Sequence, residues 1–123
     1  MHLSRELPDY TYSLRAADGR QAKVNDRVLN RSFLLAPDQL VEDWPVTSQT
    51  ELTPAHLDAA LAMEPALVIL GTGERQVFPP AAVMAACLTR GIGIEVMNNA
   101  SAARTFNVLA AEDRRVVAAF VLG

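Results

Sequence analysis

The chain has 123 residues, 50% of them hydrophobic, with a formal net charge of -3, which describes one compact domain with a real core (1–123) and argues against disorder. Eleven basic residues lie scattered without aromatic interleaving, so the sequence does not support nucleic-acid binding, which needs many phosphates neutralised together. No apolar run nears the ~20 residues of a membrane span, Met1–Asp9 has no signal-peptide core, and a single cysteine fits a reducing compartment, so a cytoplasmic protein without membrane insertion is expected.

Tyr10 to Arg15 alternates in polarity with the period of a half-buried strand. Asp18-Gly19 then suits a hairpin turn through its tolerance of positive φ, with Gln21 to Val24 returning. A further strand is expected over Ser32 to Ala36, and an extended piece around Val41 to Val46, which Pro45 would confine to an edge. Thr53-Pro54 starts a helix, hydroxyl cap first and proline in the first turn, with Leu57, Ala60 and Leu61 on its inner face. Ala66 to Leu70 (ALVIL) is apolar on both faces, the pattern of a strand covered on each side.

Pro79-Pro80 opens a second helix, Gly91 closes it, and Val83, Met84, Cys87 and Leu88 form its inner stripe. Ile92 to Met97 reads as a strand. Asn98 or Asn99 caps a third helix with Ala102, Phe106 and Leu109 inside, and Val116 to Leu122 is a last strand. Strands alternating with helices predict an α/β fold: three layers, a mostly parallel central sheet flanked by helices, and an added N-terminal antiparallel β-hairpin.

Gly71-Thr72-Gly73 leaves the carboxyl end of a strand, where ligands of open α/β sheets gather. Its glycines could turn backbone N–H groups toward an anion, and Arg75 could add a charged fork. A dinucleotide loop would need a third glycine at Gln76, and a phosphate loop a following lysine. Pro79 and Pro80 also remove two donors from the helix start. Plain turn geometry and a small-anion or partner site both remain open. Asn98, Asn99 and Ser101, followed by Arg104, Thr105 and Asn107, form a second polar cluster on what should be the same sheet edge. They could line one crevice with Thr72 and Arg75, or cap the third helix.

Cys87 falls on an apolar stripe with no histidine nearby, as an inert thiol would. His2, His56 and Cys87 have no metal-ligand spacing. Glu112 to Arg115 reads as a solvated turn. With no G-x-S-x-G elbow and no acid–base pair sharing a pocket, no catalytic residue and no cofactor is identified.

The stretches "VLNRSFLLAP", "LVILGTGERQVFPP" and "RGIGIEVMNNASAARTFNVLAAEDRRVVAAFVLG" resemble a family of small uncharacterised bacterial and archaeal single-domain proteins related to mitochondrial complex I assembly factor 3. The likeness runs from about Val28 to Leu122. Its most specific parts are Gly71–Gly73, the G-I-x-x-E-x-M run from Gly91 to Met97, and R-T-F-N-x-L from Arg104 to Leu109. The resemblance implies a mostly parallel three-layer α/β fold, no established catalytic residues, and protein partners of the kind an assembly factor binds. Departures are the missing transit peptide, Asn98 and Asn99 where members often carry acidic residues or threonine, and Phe106 where tyrosine is common. The leading expectation is a protein-interaction module, with a small-anion or small-molecule site (or enzyme) at Gly71–Gly73 and Arg75 as the rival, and a working surface elsewhere, such as the hairpin, as a third.

Overall fold

A computed structural model describes residues 12–123. The first strands, β1 (Leu14–Ala17), β2 (Ala22–Val24) and β3 (Arg27–Leu29), form an antiparallel sheet in that order. The expected hairpin is therefore present, but β1 begins at Leu14, and Tyr10 and Thr11 of the expected strand lie outside the described residues. The β1–β2 turn is also made differently. The Asp18 carboxylate accepts from the backbone N–H groups of Arg20 and Gln21, so positive φ is not what shapes it. A Cβ at position 19 would sit 2.7 Å from Cγ of the exposed Glu74 side chain, which would have to shift to admit it. β3 was not anticipated. Asn25, at φ 52, turns the chain so tightly that β2 and β3 are separated by only two residues.

The larger sheet contains β4 (Phe33–Ala36), β5 (Gln39–Val41), β6 (Leu67–Gly71), β7 (Gly93–Met97) and β8 (Val116–Phe120), in the order β5-β4-β8-β6-β7. β6 pairs in parallel with both β7 and β8, whereas β4 runs antiparallel to β8 and to β5. The sheet is thus mixed, not mostly parallel. β4 reaches β8 as a sequence-distant neighbour, and a strand buried on both faces carries no mark of the direction of its partner. The extended piece expected over Val41 to Val46 is not a strand beyond Val41; the edge strand is β5, and Pro45 lies outside it.

Side chains alternate across the sheet with the two-residue period. Leu34, Val68, Leu70, Val117 and Ala119 enter one buried cluster, together with Leu57, Leu61, Val83 and Cys87. Phe33, Leu35, Ile69, Ala118 and Phe120 enter the other, with Leu14, Val24, Leu29, Ala102 and Phe106. Phe33 and Phe120 are paired in register and stack with ring centroids 5.0 Å apart. On the first face, Pro54–Leu57 makes a 3-10 turn that runs into α1 (Asp58–Leu61), and α2 (Ala81–Leu88) connects β6 to β7. Here His56 Nδ1 accepts from the Thr53 backbone N–H, and Trp44 Nε1 donates to the His56 carbonyl. Of the expected α2 stripe, Val83 and Cys87 are buried, but Leu88 is 58% exposed. The 100° advance per residue carries it round the helix, away from the Val83–Cys87 line.

On the second face lies α3 (Asn99–Ala111), followed by a tight turn in which Asp113 has φ 62. That turn is not wholly solvated. Arg115 donates to the Met63 carbonyl through Nε and Nη2, and pairs with Asp38 through Nη1.

Candidate functional site

β6 and β7 end side by side, with Gly71 opposite Met97. The chain leaves β6 toward α2 on one face of the sheet and leaves β7 into α3 on the other. The Gly71 loop and the Asn98 loop therefore meet at this edge. They are joined: Thr72 N–H donates to the Met97 carbonyl at 3.0 Å, and Asn99 N–H to the Gly73 carbonyl at 2.8 Å.

Asn99 occupies the space between them. Its Oδ1 accepts from the Gly73 N–H at 3.0 Å, and its Nδ2 donates to the carbonyls of Asp18 and Val121, at 2.8 and 3.0 Å. One buried amide thereby holds the glycine loop, the β1–β2 turn and the end of β8. All three of its polar directions toward the protein are used, as burial demands. Gly71 is glycine because a Cβ there would strike Asn99 Oδ1 and crowd the Phe120 ring. Gly73 is glycine because its φ is +94.

Thr72 is buried, and its Oγ1 donates to the Arg75 carbonyl and accepts from Val77 N–H, closing the loop on itself. Asn98 caps α3 by accepting from Ser101 N–H at 2.8 Å. Ser101 Oγ in turn accepts from Arg104 Nη2. Arg75 and Arg104 are exposed. Gln76 was not singled out from the sequence; its side-chain amide donates to the Val96 carbonyl of β7 at 2.7 Å. An extended chain pairing with β7 at this point would have to displace Gln76.

The sequence candidates thus meet at one edge, with Asn99 filled in between them, and the Gly73 N–H that an anion would need is committed to Asn99. A cleft of about 340 Å³ lies beside them, lined by Asp18, Arg20, Thr47, Gln49, Thr72 and Glu74, among others. Only Thr72 and Gly73 of the candidates border it. Backbone N–H groups of Arg20 and then Gln21 hold the Asp18 carboxyl below the usual carboxylate range. Glu74 accepts from Gly19 N–H at 2.7 Å. An anion entering this cleft would meet two carboxylates against one guanidinium, an unfavourable balance.

Asn107, which the sequence places after the polar cluster without a role, acts away from that edge. Its amide takes the Leu14 N–H at 2.9 Å and gives to the Leu14 carbonyl at 2.6 Å, docking β1 on α3 as a neighbouring strand would. Burial pushes the Cys87 thiol up, and Arg90 offsets this in part. No group of three or more His, Cys, Asp or Glu residues among the described residues is placed to hold a metal ion, and no helix among them is long and apolar enough to cross a membrane.

Fold and site together define a small mixed α/β protein whose strand-end loops are tied shut by side-chain amides. Residues 14–121 match the family described as "Protein of unknown function (DUF498/DUF598)", and the chain belongs to that family. It is 33% identical over 122 residues to the human NADH dehydrogenase [ubiquinone] 1 alpha subcomplex assembly factor 3, covering 97% of this chain and 65% of that protein. The chain therefore spans about two-thirds of the length of that relative. It is 30% identical over 88 residues to the "13 kDa major membrane protein" of Francisella tularensis, covering 71% of this chain and 72% of that one. An NMR structure of a Xanthomonas campestris protein superposes with a TM-score of 0.85 at 64% identity, covering 100% of this chain and 93% of that one.

Proposed function

We propose that this chain is a non-enzymatic protein-interaction module of the assembly-factor kind. The observation that carries this reading is the similarity to complex I assembly factor 3 over 97% of the chain. The geometry of the sheet edge supports it from another side. Asn99 and Thr72, and Asn98 through its Oδ1, bond to the protein's own backbone, so they hold surface loops in one shape. A module that binds another protein needs such a fixed surface and needs no catalytic group.

The partner we propose is a protein, met in the cytoplasm. The acidic charge balance weighs against nucleic acid, and the buried free thiol suits a reducing compartment. Fractionation of cells decides between this and the membrane location that the name of the Francisella relative carries. We read the two core clusters as the two seams of a three-layer stack.

The test pairs affinity purification of the tagged chain with thermal melts. The expected result is one protein recovered in near-stoichiometric amount over a tag-only control, and a melting temperature unmoved by phosphate, nucleotides or carboxylates. A ligand at 100 times its dissociation constant would add about 2.7 kcal/mol, a shift of several degrees. A shift of that size with no protein recovered overturns the module reading in favour of a small-anion site.

A further inference from the structure

α2 has no charged residue and no strong polar residue in its sequence AAVMAACL. One side of it is buried at Val83 and Cys87, while Ala81, Ala85 and Leu88 line up on the opposite side, exposed. A helix apolar all round is ordinarily covered all round. The segment leading into it is exposed as well, with Val77 at 37% and Phe78 at 64%. Among the described residues there are five large exposed apolar side chains, and three of them, Val77, Phe78 and Leu88, fall in this one stretch. Clustering of this kind marks an interaction surface, whereas single exposed residues need no explanation.

Charge narrows the occupant. Residues 75–90 contain two arginines and no aspartate or glutamate, although the whole chain is acidic. Arg75 stands before the apolar stretch and Arg90 after it. Both are exposed, and neither takes part in an ion pair among the described residues. We propose that Val77, Phe78 and the outward face of α2 dock an apolar helical segment of a partner protein that carries carboxylates on both sides of its apolar core. The alanines at 81 and 85 let a second helix approach closely, with Phe78 and Leu88 as the large contacts at either end.

A second copy of the chain fits this face poorly. Parallel or antiparallel, two copies would set arginine against arginine. The helix is also only about 12 Å long, too little to reach the roughly 1,600 Å² of a stable dimer. A partner segment that overhangs both ends meets both arginines and needs no symmetry. Strand addition at β7 is disfavoured because Gln76 already covers the Val96 carbonyl.

This inference rests on the module reading and deepens it. The test is an NMR titration of the labelled protein with two synthetic peptides of about 18 residues, roughly five helical turns. Both carry the same apolar residues at i, i+3, i+4 and i+7, one flanked by Asp and Glu, the other by Lys. The acidic-flanked peptide is expected to shift amides of residues 75–90 saturably and to bind about tenfold more tightly, with the gap closing at about 0.5 M salt. Arg75→Glu with Arg90→Glu should invert the preference without moving the melting temperature, and Phe78→Ser should weaken both peptides. Equal affinity for the two peptides, shifts centred on residues 18–20 and 47–49, or self-association mapped to α2 would each overturn the proposal. A co-purifying partner retained undiminished by these variants removes the α2 face and leaves the module reading standing. Loss of every partner from the wild-type protein removes the module reading itself.

Discussion

An alanine at position 73 would meet nothing within 4 Å, yet would have to adopt φ +94. That backbone strain alone costs about 1–3 kcal/mol. An alanine at position 71 would sit in ordinary backbone but drive its methyl into Asn99 Oδ1 and the Phe120 ring. If Asn99 swings away, the carbonyls of Asp18 and Val121 lose their donors, so overpacking and broken hydrogen bonds add to about 3–5 kcal/mol. Urea unfolding should rank Gly71→Ala as the more damaging change. Adding Asn99→Ala to Gly71→Ala should cost clearly less than the sum of the two single losses, because both act on the same contact. Additive losses would mean that Asn99 is not what Gly71 makes room for.

At the scale of elements, the three-stranded sheet is held to α3 by the Asn107 amide and by the apolar contacts of Leu14, Val24 and Leu29. Asn107→Ala removes both bonds to Leu14. Amide exchange in β1–β3 is expected to quicken by about tenfold, equivalent to ~1.4 kcal/mol of local opening, with β6 and β8 unchanged. A uniform change across both sheets would show that the small sheet does not open separately. The sequence made these elements legible to different degrees. β4, β6, β8, α2 and α3 announce themselves through long apolar periodicity and proline, glycine and asparagine punctuation. β3 does not, because Arg27-Val28-Leu29 is too short to show a period. The direction of β4 was hidden too, since a strand buried on both faces looks alike whichever way its neighbour runs. At the site, an asparagine cap at 98 or 99 was readable from its place before a helix, and the structure gives that role to Asn98. The burial of Asn99 was not, because it depends on the β1–β2 turn arriving from some 80 positions away. Nothing near Asn99 in the chain signals that approach.

For the whole molecule, the carboxylates with displaced titrations set the response to acid. Asp38 is held below its ordinary 3.8 chiefly by the Arg115 hydrogen bond, and Asp18 by the backbone N–H groups of Arg20 and Gln21. Glu51 is held below its ordinary 4.5 first by the backbone N–H of Thr47 and then by the hydroxyl of that residue. Each is a carboxylate whose folded pKa lies beneath its unfolded one. Its contribution is fully present above the unfolded value and fades as pH falls through the folded value. In that window the unfolded chain binds more protons than the folded one, so stability rises with pH there. Unfolding midpoints in urea should be nearly flat above about pH 5 and fall steadily below about pH 4. All three groups are exposed, so each contribution is modest and sensitive to salt. The combined variant Asp18→Asn, Asp38→Asn, Glu51→Gln keeps the shapes and removes these titrations. It should be less stable than wild type near neutral pH and should lose part of the acid slope, so that the two curves draw together as pH falls through the folded pKa values. Parallel curves throughout the acid limb would mean that the acid response is carried by other carboxylates. In that case the ties at the β1–β2 turn, at Arg115 and at Thr47 would count as geometry alone.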